Sequence, residues 1–232
     1  MKPVVPEPAL AAVIPAYRER GRIGALVRAT APHVGRVLVV DDGSADGTAE
    51  EARHAGAEVL AHPANRGKGA ALLTGFAAAQ AAGCRWVVTL DADGQHDPAQ
   101  ISLLWERARA TNADLVIGDR DLARVPMPAI RRRVNRWLSR RLSRRAGRAL
   151  PDSQCGFRLL RLAALEGLTF VTRHFEFESE LLLTFIRAGR RVAFVPVTVR
   201  PATRPSRIRP GRDTWRWFRW WWSGKGSHPG AQ

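Results

Sequence analysis

The 232-residue sequence predicts an α/β fold: a Rossmann-like, mostly parallel central sheet with helices on both faces, followed by basic amphipathic C-terminal elements. Two observations carry that prediction. Up to about residue 119, short continuous apolar runs alternate with longer helical stretches, and strands apolar on both faces belong inside a parallel sheet covered twice. Aspartates then gather where those runs end, at Asp41, Asp42, Asp91, Asp93 and Asp119. In open α/β sheets, ligands bind beyond the carboxyl ends of the strands.

Taken in order, "LAAVIPA" reads as a first strand, residues 22–30 as a helix, and "RVLVVDD" as a second strand. Asp46 and Thr48 offer caps for a helix through Ala55, closed by Gly56. "AEVLAH" is a short third strand, residues 70–82 an alanine-rich helix ended by Gly83, and "RWVVTLD" a fourth strand. Asp97 and Pro98 pair an N-cap with proline at the first helical position, opening a helix to about Ala110. "ADLVIGD" is a fifth strand. In the second half, Ile130, Val134, Trp137, Leu138, Leu142 and Ala146 recur at helical spacing, with arginines between them and no acid from Arg131 to Arg148. "FRLLR" is a short strand, residues 178–188 a helix stopped by Gly189, and "RRVAFVPVTVR" a last strand. From Arg200 the chain turns proline- and arginine-rich and then reaches "WRWFRWWW", which holds five of the eight tryptophans. The expected division is a catalytic domain over residues 1–199 and a tail over 200–232 serving as acceptor loop and interfacial segment.

Thirty-seven basic against twenty-one acidic side chains give a formal net charge of +16, which implies anionic partners. Nucleic acid, a phospholipid surface and phosphorylated small molecules all satisfy that. No recognisable RNA or DNA motif is present and the charge lies in two blocks outside the sheet, so nucleic acid is not the expected partner. Cys84 and Cys155 are far apart and lack metal-ligand spacing, which suits a reducing compartment. No apolar h-region opens the chain, and no run approaches the ~18 apolar residues a membrane span needs.

Alternate residues of an extended chain face one side, so Asp91 and Asp93 of "DADGQHDP" can share a pocket, with Gln95 next on that side if the chain stays extended. Two carboxylates and an amide oxygen suit Mg²⁺ or Mn²⁺ that keeps positions open for phosphate. The same acids also suit the positive end of a helix, and Asp97 is read that way, as its cap. "VVDDGSADGT" supplies acids and glycines that fit either a ribose or base contact or a turn with a helix cap. "NRGKGAA" places Lys68 between two glycines at a helix start, a phosphate contact without being a P-loop. His96 reads as a polar loop histidine in preference to a metal ligand, and Cys155 as a packing residue.

"VIPAYRE", "VDDGSADGT", "NRGKGAA", "DADGQHDP", "GDR" and "DSQCGFR" follow one another over Val13–Arg158, and "FEFESELL" and "PSRIRPGRDTW" extend the series to about Trp215. In that order they resemble the family 2 glycosyltransferases of GT-A fold, and most closely the polyprenyl-phosphate branch typified by dolichyl-phosphate mannose synthases. The resemblance implies that Pro15, Tyr17 and Glu19 line base and ribose, with Asp41 and Asp42 beside them and Lys68 on the nucleotide sugar. It implies Asp91 on the nucleotide or metal, with Asp93 and Gln95 holding the divalent ion. Arg120 and an arginine near Arg133 would reach phosphate, as would Ser206 and Arg207 in a segment that closes over substrate. Asp152, Gln154 and Arg158 would stand nearest the chemistry on the acceptor side. Arg18 replaces the asparagine usual in the first motif, and Asp119 a smaller residue.

The implied reaction is metal-dependent, inverting transfer of a mannose- or glucose-type hexose from a GDP- or UDP-sugar to a polyprenyl (dolichyl or undecaprenyl) phosphate. A lipid phosphate arrives ionised and needs no general base. A hydroxyl acceptor on a cell-wall glycan or glycolipid would need one, and Asp152 is the candidate. The helix over residues 130–148 and the tryptophan cluster read either as interfacial elements on the cytoplasmic face of a membrane or as ordinary packed helices, with Trp217, Trp220 and Trp221 turned to the domain. Membrane contact is expected to be peripheral, or supplied through a membrane partner protein.

Overall fold

The computed structural model describes residues 9–121, 129–201 and 210–223. Its seven strands are β1 (Leu10–Ala16), β2 (Arg36–Asp41), β3 (Glu58–Ala61), β4 (Trp86–Thr89), β5 (Leu115–Asp119), β6 (Arg158–Arg161) and β7 (Val192–Pro196). They form one sheet in the order β3-β2-β1-β4-β6-β5-β7. Every neighbouring pair is parallel except those involving β6, which runs antiparallel to both β4 and β5. Seven α-helices accompany it: α1 (Ile23–Thr30), α2 (Thr48–His54), α3 (Lys68–Ala81), α4 (Ile101–Thr111), α5 (Ala129–Ala146), α6 (Phe177–Arg187) and α7 (Pro210–Trp222). The mostly parallel α/β sheet of the sequence is the one observed.

β6 runs antiparallel to its neighbours because the chain enters it from the carboxyl edge of the sheet. A strand entered from that edge has one direction available. Its first residue, Arg158, lies level with Thr89 of β4 and Ile117 of β5. Residues 152–157 are thereby delivered to the carboxyl ends of β4 and β5, beside the aspartates.

The core is built from strand residues with no exposure, among them Val13, Ile14, Val39, Val88 and Val116, backed by Ile23, Leu104, Leu182 and Phe185 from the helices. At about 25 cal/mol per Å² of buried apolar surface, this layer supplies the main force for folding. Local signals hold as well. Asp97 Oδ1 accepts from the amide of Ala99 at 3.1 Å, and Pro98 stands in the first turn leading to α4. At α2 the cap differs from expectation: Gly47 occupies the N-cap position at φ 88°. Asp46 Oδ1 instead accepts from the amide and hydroxyl of Thr48, at 3.1 and 2.6 Å. That is the local turn an aspartate makes with its own backbone two residues on.

α5 and α7 pack together beside α6. Trp217 and Trp220 are each 5% exposed, and Trp217 Nε1 donates to Ser179 Oγ of α6 at 3.2 Å. Trp217 stacks on Trp221 and meets Trp137 of α5 edge-on, with Arg145 over the Trp221 ring at 4.4 Å. The inward reading of these tryptophans is the one the structure displays for Trp217 and Trp220. Trp215, Trp222 and Ile130 remain open, at 60, 75 and 71% exposure.

Candidate functional site

At the carboxyl end of β1, Pro15 and Tyr17 are half-buried, and Glu19 is buried with its amide donating to Thr48 Oγ1 at 2.9 Å. Arg18 sits between them in the left-handed region at φ 54°, its amide donating to Ser44 Oγ and its guanidinium 5.2 Å from the Tyr17 ring. Asp41, at the tip of β2, accepts from the Ser44 amide at 3.0 Å. Asp42 follows it but has a different employment. Its Oδ1 lies 2.8 Å from both the Arg66 amide and His62 Nδ1, and its Oδ2 accepts from the Gly67 amide at 2.8 Å. A buried carboxylate with that many donors is a clamp. It ties the loop over residues 62–67 to the tip of β2 and so fixes where α3 begins.

The first residue of α3 is Lys68, whose side chain is 14% exposed and whose ammonium lies between two acids. Nζ lies 2.5 Å from Asp91 Oδ1 and 2.8 Å from Glu178 Oε1 of α6. Burial alone would lower the Lys68 pKa, but the charges and hydrogen bonds of Asp91 and Glu178 outweigh it and push it up. Burial likewise would raise Asp91, and the Lys68 charge and hydrogen bond more than reverse that. The other oxygen of Asp91 rests against Gly156, where an added Cβ would come within 2.5 Å of Oδ2. Gly156→Ala is therefore expected to cost about 1–3 kcal/mol, the range for overpacking, and to displace Asp91. Urea unfolding and nucleotide titration on the same variant check both effects.

Beyond β4 the chain turns outward. Asp93 is exposed, and its Oδ1 accepts from the Gln95 amide at 3.0 Å. Gln95 Nε2 donates to the Arg200 carbonyl at 3.3 Å, which leaves the amide oxygen as the hard donor of that side chain. Residues 197–200 lie along this loop: the Val197 amide reaches Asp119, the Arg200 amide reaches Gln95, and Arg200 pairs with Asp97 at 3.2 Å. His96 departs from the sequence reading. It is buried, stacked 5.1 Å from Phe157, and burial holds its pKa down at about 4, so it stands neutral at physiological pH. Among the described residues, no group of three or more His, Cys, Asp and Glu side chains is arranged for a metal. Asp91, Asp93 and Gln95 carry hard oxygens of the kind a divalent cation takes alongside phosphate and water.

On the far side, Arg120 forks onto Asp152, Nε to Oδ2 at 2.6 Å and a terminal nitrogen to Oδ1 at 3.0 Å. The Asp152 side chain has no exposure. Arg158, 1% exposed, donates Nε to the carbonyl of Cys155 (2.7 Å), NH1 to that of Glu178 (2.7 Å) and NH2 to that of Ser153 (2.9 Å). All three of its nitrogens thus pin the loop over residues 153–155 to α6. Burial pushes the Cys155 thiol up to about 12, so it carries no nucleophilic thiolate. Burial and then the neighbouring Asp152 and Asp121 raise Asp119, with Arg120 opposing. Arg133 is exposed on α5. Ser206 and Arg207 lie outside the described residues.

The structure thus pairs Lys68 with Asp91 and Arg120 with Asp152 and puts Asp93 and Gln95 together on the turn beyond β4, while Asp42 and Arg158 spend their polar atoms on neighbouring loops. Glu178 and Gly156 are members that sequence reasoning did not single out. Both stand inside motifs it quoted, "FEFESELL" and "DSQCGFR", but an acid in the first turn of a helix has an ordinary explanation in the helix dipole. The 110-residue separation between Lys68 and Glu178 has no local signature.

The model of glycosyl transferase family 2 matches residues 11–169. The chain is 34% identical over 179 residues to an undecaprenyl-phosphate mannosyltransferase of Micrococcus luteus, covering 70% of each chain. It is 34% identical over 208 residues to a polyprenol monophosphomannose synthase of Mycolicibacterium smegmatis, covering 80% of this chain and 75% of the relative. Among solved structures, glucosyl-3-phosphoglycerate synthase of Mycobacterium tuberculosis, in complex with Mn²⁺, UDP-glucose and phosphoglyceric acid, superposes with a TM-score of 0.77. The match is 23% identical and covers 96% of this chain and 81% of the other. The fold is GT-A.

Proposed function

Since the chain belongs to glycosyl transferase family 2, we propose that it moves a hexose, with inversion, from a GDP- or UDP-sugar to a polyprenyl phosphate at the cytoplasmic membrane face. The carrying observation is the pairing of Asp152 with Arg120. The only carboxylate that sequence reasoning offered as general base is enclosed and held by a guanidinium, so the site suits an acceptor that arrives already ionised. A phosphate monoester is such an acceptor, and the two relatives are named for it.

In this reading Pro15, Tyr17, Glu19 and Asp41 border the nucleoside, and Asp42 serves it by clamping the loop that carries Lys68. Asp91, Asp93 and Gln95 hold a Mg²⁺ or Mn²⁺ ion. The M. tuberculosis structure contains Mn²⁺ with UDP-glucose, which supports that choice. Once bound, the ion neutralises charge on the diphosphate. Lys68 adds positive charge beside it, and Arg120, with two of its three nitrogens on Asp152, presents the remaining edge toward phosphate. An acceptor phosphate oxygen attacks the anomeric carbon as the bond to the diphosphate breaks, and the nucleoside diphosphate departs with the electron pair. Fixed positive groups aimed at the developing charge supply most of the acceleration.

Residues 1–199 would hold the chemistry. Residues 200–232 would add an acceptor-closing segment, with Ser206 and Arg207, and an interfacial surface. Ile130, Val134 and Trp137 of α5 and Trp215 and Trp222 of α7 are exposed apolar groups among arginines, as a helix pair at a headgroup layer requires. No helix among the described residues is long and apolar enough to cross a membrane. Labelled GDP- and UDP-sugars offered with polyprenyl phosphate, with and without EDTA, test the reading. The expected product is organic-extractable label that EDTA abolishes. Label found only in a water-soluble product would overturn the acceptor assignment.

A further inference from the structure

We propose that Lys68 is a built-in counter-cation for the metal position, covering Asp91 until a divalent cation and the nucleoside diphosphate arrive together. This rests on the metal assignment made above and deepens it.

The geometry is specific. The ammonium sits 2.5 Å from Asp91 Oδ1, so it occupies a lone pair that a cation would take, and Gly156 closes off the Oδ2 side of the same carboxylate. The Asp91 side chain keeps 30% exposure, so a cation can approach it, but it must compete with the ammonium for the charge of that carboxylate. Glu178 supplies what the exchange needs, a second carboxylate already within 2.8 Å of Nζ. When Lys68 lets go of Asp91, its charge keeps a partner, which avoids the heavy penalty of a buried unpaired ion. The base of the side chain stays fixed throughout, because Asp42 holds the amides of Arg66 and Gly67 immediately before it. Only the flexible four-carbon stem has to move.

Two consequences follow from charge alone. Metal binding to the nucleotide-free protein is opposed by an ammonium a few ångströms away, so it is weak. A diphosphate changes the balance, since it brings negative charge that receives both the metal and Lys68. Metal and nucleotide then bind as a cooperative pair, each raising affinity for the other by the same factor.

Titration of Mn²⁺ alone into the full chain, followed by electron paramagnetic resonance, separates this from a merely structural ion pair. Lys68→Met is expected to bind Mn²⁺ about tenfold or more tightly than the wild type without nucleotide, and to lose most of the tightening that UDP or GDP confers. Glu178→Gln is expected to shift the other way: with Asp91 as its sole carboxylate partner, Lys68 holds on harder and Mn²⁺ alone binds more weakly. Arg107→Met, a charge removed from the exposed face of α4, controls for net charge and is expected to change Mn²⁺ affinity by less than about twofold. A folded Lys68→Met protein that binds Mn²⁺ no better than wild type overturns the inference, as does parallel loss of Mn²⁺ binding in Lys68→Met and Glu178→Gln. Failure of every form, wild type included, to bind Mn²⁺ even with nucleotide overturns the metal assignment itself.

Discussion

Asp93→Ala is expected to lower turnover by about 10²–10³-fold while leaving the protein folded. The two halves of that expectation have separate grounds. Asp93 lies beyond the tip of β4 on an exposed turn, and substitutions at such positions move stability by about 0.5 kcal/mol. In the proposed site its carboxylate completes the hard oxygen set with Asp91 and Gln95, and groups that neutralise a leaving diphosphate are worth about 10²–10³ each. The variant should also lose the metal-dependent part of nucleotide binding, measured by calorimetry with UDP or GDP in the presence and absence of Mn²⁺. Asp91→Ala is a poorer probe of the same idea, because it strips the buried Lys68 of its nearer partner and mixes a folding defect with a chemical one. Full turnover in a folded Asp93→Ala protein would remove this residue from the chemistry, and with it the metal position.

The reach of the sequence can be judged from these same elements. All seven strands were legible because each is a short apolar run with turn residues beside it, and such runs have few other places to go. The direction of β6 was not legible: four residues, "RLLR", carry no signal of orientation, which depends on the edge from which the chain enters the strand. The aspartates at the ends of β2 and β4 were found for a sound reason, since strand ends in parallel sheets face ligands. What their positions could not convey is partnership. Asp41 and Asp42 are adjacent in sequence and look alike, yet Asp42 turns both oxygens to the loop over residues 62–67. Arg158 reads from its motif as standing near the chemistry on the acceptor side, and its three backbone carbonyl partners come from segments up to 20 residues away. His96, surrounded by polar letters, is covered by Phe157 and by the return of residues 197–200, an environment that no local window contains.

Asp152→Ala is expected to cost about 3–5 kcal/mol of stability and, in whatever folded protein remains, most of the activity. Removing it leaves the Arg120 guanidinium, 11% exposed, without its counter-charge, and a buried ion orphaned in this way costs far more than the intact pair contributes. The double replacement Asp152→Leu with Arg120→Met should recover a large part of that loss, because no charge is then stranded, and the cycle of unfolding free energies measures the coupling directly. Asp152→Asn separates the two chemical readings. It keeps the shape and one oxygen acceptor for Arg120, so in the clamp role a measurable fraction of kcat survives with a modest stability loss. As general base toward a hydroxyl acceptor, the same substitution would eliminate kcat altogether at that same modest stability loss, since an amide cannot take the proton. The phosphate-acceptor reading therefore requires that loss of turnover at this position track loss of folding energy, which unfolding curves and initial rates on the three variants compare side by side.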